Sequence, residues 1–202
     1  MSSDDFRTIW LKPGDPGIVQ IIDQRQLPHD FVVHDLGHWS DGVEAIQDMY
    51  VRGAPLIGAT AAWSLYLAAL HGQFPREEVS RAADALLESR PTAVNLRWAL
   101  EQVTDAVKAL TPEYRAEAAL ARAIELRQAD IANCERIGEH GLALLQQHVG
   151  GDHLNVMTHC NAGGLATGGG GTALAVLRHA HAAGMVEKVF VDETRPLLQG
   201  AR

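Results

Sequence analysis

Residues 154–199 read as a β-strand, a thiol at its exit, a glycine-rich turn, a helix, a second strand and a polar loop, in the text LNVMTHCNAGGLATGGGGTALAVLRHAHAAGMVEKVFVDETRPLLQ. A helix between two strands implies a parallel pair, and a parallel sheet needs both faces covered and normally more strands than two. The segment therefore predicts the first βαβ unit of a Rossmann-like α/β domain, and the chain is expected to be the front part of an enzyme that stops inside its second domain. In open α/β sheets, ligands gather where strands end and helices begin. Cys160, Asp192, Arg195 and Gln199 are all drawn towards one such place.

The residues before this unit follow another pattern. RTIWL, IVQII and DFVVHDL alternate in short runs broken by Pro13, Gly14, Pro16 and Gly17, which predicts two or three β-strands. From Ser40 the apolar period becomes helical: Val43, Ile46, Met49 and Tyr50 predict a helix over 40–51, capped by Ser40 or Asp41. Pro55 opens a second helix to His71, Pro75 a third to Ser89, and Pro91 a fourth through VNLRWALEQVTDAVKAL. Thr111-Pro112-Glu113 starts a long fifth that ends before Gly150, with Gly138 and Gly141 as points where it bends. The fold class expected is α/β: residues 1–150 form a small β-element plus a helical bundle, and residues 151–202 begin the truncated Rossmann-like domain, with the boundary near residues 150–153.

Composition narrows the function classes. A formal charge of −8 over 202 residues opposes non-specific nucleic-acid binding, which requires a basic surface. A local arginine cluster can still bind an anion. The acidic start MSSDDFRTIW lacks the basic and apolar regions of a secretory signal. The apolar run APLIGATAAWSLYLAAL approaches the length of a membrane span, but Thr60, Ser64 and the polar flanks favour a buried helix. Two cysteines allow neither a disulfide framework nor a four-thiolate zinc site, and the cytoplasm is the expected compartment.

Chemistry is carried by arginines and a thiol. Arg52 precedes Gly53-Ala54-Pro55, Arg90 precedes Pro91, and Arg195 precedes Pro196. The first two stand beside helix starts, where free N–H groups favour anions and guanidinium pairs bidentately with phosphate. The same arginines would equally serve to bond helix ends or surface carboxylates. Cys160, past a buried strand and ahead of a glycine-rich turn, is either an acid–base thiol or an inert buried one. Cys134, Trp63, Trp98 and Leu100 sit on helices at core-like spacing and read as packing. Gly168, Gly170, Ala173 and Asp192 fit a permissive dinucleotide fingerprint, but the glycines begin ten residues after the strand should end, within or at the head of the helix. Ten histidines form no HExxH or compact Cys/His cluster, so metal binding is not expected.

VRGAPLIG at 51–58, SRPTAVNLRWAL at 89–100, THCNAGGLAT at 158–167 and DETRPLLQGAR at 192–202 resemble the methylthioribose-1-phosphate isomerase family of methionine salvage; LPHD at 27–30 and IGEHG at 137–141 fit it too. Its fold is shared with ribose-1,5-bisphosphate isomerases and with the regulatory subunits of the translation-initiation guanine-nucleotide exchange factor. The resemblance implies an aldose–ketose isomerisation of a sugar 1-phosphate with no cofactor, in a homodimer when full length, with no nucleic-acid or membrane partner. It implies substrate binding by Arg52, Gly53, Ala54, Arg90 and Gln199, and catalysis by Cys160. The alternatives it leaves are a ribose-1,5-bisphosphate isomerase and a non-catalytic module of the same fold. Glycines at 164, 168 and 170 depart from the family's usual alanine, alanine and tyrosine, and would loosen a helix head. The family's catalytic aspartate and a following asparagine–lysine pair lie beyond Arg202. The 202 residues alone are thus expected to be inactive, and unstable without the rest of the sheet.

Overall fold

The computed structural model describes residues 7–72, 75–149, 153–196 and 198. Ile9–Lys12 (β1), Asp15–Ile22 (β2) and Val33–Leu36 (β3) form an antiparallel sheet in the order β1-β2-β3. Lys12 pairs with Asp15, so Pro13-Gly14 alone makes the turn and Pro16 and Gly17 belong to β2. Gly14 takes φ +81° there, a conformation open to glycine at little steric cost.

Five helices follow: α1 (Trp39–Gln47), α2 (Ala54–His71), α3 (Pro75–Ser89), α4 (Val94–Val107) and α5 (Pro112–His148). The first starts one residue before the sequence expectation, because the His38 ring accepts the Ser40 N–H while the Asp41 carboxylate accepts the Gly37 and His38 N–H groups. That reciprocal arrangement is a capping box with histidine in place of the usual serine. It also ends early, at Gln47, and Met49 turns the chain with φ +58°.

α2 is the core of the bundle. It is long and apolar enough to cross a membrane by length and composition, yet every residue from Leu56 to Ala69 is buried inside the protein. The buried Thr60 and Ser64 hydroxyls donate to the Leu56 and Thr60 carbonyls one turn back, which satisfies them without water. α1, α3, α4 and α5 pack around it, and Ile9, Val19, Ile21 and Leu36 of the small sheet join the same core. Each such Leu or Ile side chain contributes about 1.5–3 kcal/mol by leaving water.

Leu154–Thr158 (β4), Ala173–Ala182 (α6) and Val186–Val191 (β5) form the βαβ unit, with β4 and β5 parallel as the α/β reading requires. Glycines 138 and 141 do not interrupt α5, which runs as one helix of 37 residues. They face α6 instead: a Cβ on Gly138 would lie 2.4 Å from the His179 ring, and one on Gly141 2.5 Å from Val176. Met157, Val189, Phe190 and Val191 remain exposed on the two-stranded sheet.

Candidate active site

The N-terminus of α2 is the anchor of the site. Gly53 caps the helix at φ +90°, and its Cα presses on the backbone of a 3-10 turn at Gly164–Ala166. A Cβ at this position would stand 2.4 Å from the Ala166 carbonyl oxygen. Two side chains flanking the small sheet clamp the loop: Thr8, just before β1, donates its Oγ1 hydrogen to the Thr167 carbonyl at 2.7 Å, and Gln24, two residues after β2, donates from Nε2 to the Leu165 carbonyl at 2.7 Å. Arg52, next to Gly53, is buried. On the other side, Asn95 Nδ2 in the first turn of α4 donates to the Ala54 carbonyl at 2.9 Å.

Arg90 is half-buried in the turn just before α4. Pro91 does not open that helix. The Ala93 N–H bonds the Arg90 carbonyl, and helical geometry begins only at Val94 with Ala93 as cap. Arg90 therefore sits in a tight turn rather than directly on a helix N-terminus.

Cys160 lies just beyond β4, exposed, at φ +62°. A residue with a Cβ adopts that left-handed conformation at a cost of about 1–3 kcal/mol, and such residues cluster at functional sites. Cys134 is its opposite, 1 % exposed on the face of α5 that meets the glycine loop, where burial pushes its thiol up. Beside Cys160, His159 Nδ1 stands 3.1 Å from Asp192 Oδ2, bridging the exits of the two strands. The Asp192 N–H donates to the Thr158 carbonyl and carries the ladder one residue past β5. The sequence reading placed Asp192 near the site but missed this partnership; its signal was a histidine directly before the thiol.

The glycines at 168–171 lie in a loop, not in a helix. The Ala162 carbonyl accepts both the Thr172 and the Leu174 N–H, which closes the loop on itself before α6 starts at Ala173. The expected loosening of a helix head therefore does not arise. Gly168 N–H donates to Asp130 Oδ2, while the Gly169 and Gly171 N–H groups donate to Thr167 Oγ1. Three of the four glycine N–H groups are thus spent inside the protein, which opposes the cradle of free amides with which a dinucleotide fingerprint holds pyrophosphate. Asp130 is buried deeply enough that desolvation pushes its carboxyl up, against the Gly168 hydrogen bond.

The structure thus joins the Arg52–Ala54 segment to the 160–167 loop, and ties the α4 start that follows Arg90 to Ala54. Gln199 lies outside the described residues, and Arg195 is exposed after β5. Trp98, expected in the core, is 45 % exposed on α4, whereas Trp63 and Leu100 are buried as expected. Among the described residues, no three His, Cys, Asp or Glu side chains come together as a metal site.

A central buried helix whose N-terminus seats a loop from a parallel βαβ unit defines an α/β fold with the candidate residues gathered along that contact. The profile of the Initiation factor 2 subunit family matches residues 50–202, and this chain belongs to that family. Within it, the chain is 48 % identical to the methylthioribose-1-phosphate isomerase of Methylobacterium nodulans over 97 % of its length and 54 % of the relative's. It is 44 % identical to the enzyme of that name from Escherichia coli, over 96 % of this chain and 53 % of the other. The crystal structure of 5-methylthioribose 1-phosphate isomerase from Pyrococcus horikoshii superposes with a TM-score of 0.84 at 35 % identity, covering 97 % of this chain and 55 % of that one. Translation initiation factor eIF-2B, subunit delta, from A. fulgidus superposes with a TM-score of 0.82 at 38 % identity, covering 98 % and 57 %. The chain spans about half the length of the relatives it matches.

Proposed function

We propose that this chain carries part of the active site of an aldose–ketose isomerase that converts 5-methylthioribose 1-phosphate to 5-methylthioribulose 1-phosphate. The substrate's phosphate sits on the anomeric oxygen, so the ring cannot open as a free aldose does. The enzyme must open the ring by acid–base help and then move hydrogen from C2 to C1. In this reading Arg52, Arg90 and the backbone at Gly53 and Ala54 receive the phosphate, Gln199 adds a polar contact, and Cys160 is the acid–base group. The His159–Asp192 pair orients the strand exits around that thiol.

The observation that carries the reading is the exposed thiol of Cys160, held at φ +62° on a loop that seats against Gly53. The 48 % identity to a relative named for this reaction supports it over the regulatory-module reading. The whole enzyme is proposed to act in the cytoplasm as a homodimer, and the 202 residues alone are proposed not to turn substrate over.

The test fuses these residues to the uncovered remainder of the Methylobacterium nodulans relative. Turnover of 5-methylthioribose 1-phosphate by the fusion, lost on the order of 10²-fold or more in Cys160→Ser while binding persists, is the expected result. Unchanged turnover in Cys160→Ser removes the thiol from the mechanism. A fusion that binds the sugar phosphate and never turns it over favours the regulatory reading.

A further inference from the structure

Between α5 and α6 runs a groove of about 800 Å³ that the isomerase reading leaves unused. Three guanidinium groups line it: Arg7 from the segment before β1, Arg127 from α5 and Arg178 from α6. None of the three is in an ion pair with a carboxylate among the described residues. The one carboxylate in the groove wall, Glu135, is turned to His179, 2.9 Å from its Nε2. Three uncommitted arginines converging on one hollow are unusual in a chain of net charge −8.

Two of these arginines are seated on the glycine loop. The place a Cβ would take on Gly168 is 2.9 Å from Arg127 Cγ, and the place it would take on Gly170 is 2.9 Å from Arg178 Nη2. Larger residues there would displace both side chains, so the loop's glycines set where the guanidiniums stand. Arg127 Nε is fully buried and makes no hydrogen bond. A charged donor left buried without a partner is disfavoured. Burial, and then the nearby charge of Arg7, push the Arg127 guanidinium down from its ordinary value, with Asp130 opposing. An anion in the groove would offset the repulsion between Arg127 and Arg7.

The geometry points to a second anion site in this groove, which shares only Gly164 with the Arg52–Cys160 seam, that takes a phosphorylated small molecule with its phosphoryl oxygens between Arg7, Arg127 and Arg178. The volume suits a ligand of metabolite size rather than a lone ion, since small-molecule sites span about 300–1,000 Å³. Guanidinium is the side chain suited to the planar, bidentate hold a phosphoryl group accepts.

The test is equilibrium dialysis of the same fusion, in the Cys160→Ser background so that no substrate is turned over, against radiolabelled pyrophosphate at low ionic strength, with 5-methylthioribose 1-phosphate in a parallel arm. Pyrophosphate binding that falls about 10-fold or more in Arg7→Gln and in Arg178→Gln, and persists in Arg90→Gln, supports the site. Both altered side chains are exposed, and an unchanged circular-dichroism melt confirms that each variant is folded. If the sugar phosphate also weakens in Arg178→Gln, the groove accepts phosphate esters; if it weakens only in Arg90→Gln, the groove's ligand is a different phosphorylated compound. No pyrophosphate binding, or binding that is lost only in Arg90→Gln, overturns the proposal without touching the isomerase reading.

Discussion

Replacing Gly53 by alanine separates two costs that the structure combines at one atom. The first is conformational: at φ +90° an added Cβ meets its own backbone, which costs about 1–2 kcal/mol. The second is contact: the new methyl would stand 2.4 Å from the Ala166 oxygen and 2.5 Å from its Cα and Cβ. Separation of the seam to relieve this overpacking costs about 1–3 kcal/mol more. The total of about 2–5 kcal/mol lowers the melting temperature by roughly 4–20 °C in a chain of this size. Gly14→Ala is the matched control, because Gly14 has φ +81° but nothing within 4 Å of the added atom. It carries the conformational cost alone, roughly 2–8 °C. Both variants would be melted by circular dichroism at micromolar concentration. If Gly53→Ala melts within about 1 °C of Gly14→Ala, the α2 start does not press on the 164–166 turn as argued, and the seam is not a rigid contact.

Alanine at Gly141 should push Val176 away and loosen α6 against α5, costing about 1–3 kcal/mol and accelerating hydrogen exchange in α6, β4 and β5 before the bundle is affected. The two thiols should react unequally: a disulfide reagent titrates Cys160 in the native chain and reaches Cys134 only after denaturation, so two fast thiols would contradict the buried placement. Burial acts to raise the Asp23 carboxyl, but its bonds to Arg25 outweigh this and hold it below the ordinary carboxylate value. Stability from that pair is therefore complete above the unfolded carboxylate pKa of about 4 and lost as pH falls through the lower folded value. Urea titrations from pH 6 down to pH 3 should show a smaller acid loss in Asp23→Asn than in the parent. The exposed Met157, Val189, Phe190 and Val191 should drive concentration-dependent association that sedimentation detects; Phe190→Lys should reduce it, and no change would mean that the unpaired sheet is not the cause.

Much of the fold was legible because local signals and tertiary packing agree. Pro112 starts α5 and Gly72 ends α2, because proline and glycine restrain the backbone locally, and the alternating runs at 7–11, 18–22 and 30–36 each contain an observed strand, although β2 starts earlier, at Asp15, than the turn residues Pro16 and Gly17 implied. Where a signal had two meanings, the structure chose. Pro91 fixes a turn as readily as a helix start, and the bond from Ala93 to Arg90 selects the turn. Trp98 has helical spacing, but spacing states a face and not what covers it.

Sequence alone determined the order of elements, the α/β class and the motif set that marks the family, because these depend on residues close together along the chain. Only the tertiary structure decided which glycines serve contacts, that Gly168, Gly169 and Gly171 spend their amides on Asp130 and Thr167, that His159 meets Asp192, and that three arginines from distant segments share one groove. Each of those depends on distances between residues far apart in the chain, which packing sets and a linear pattern does not encode.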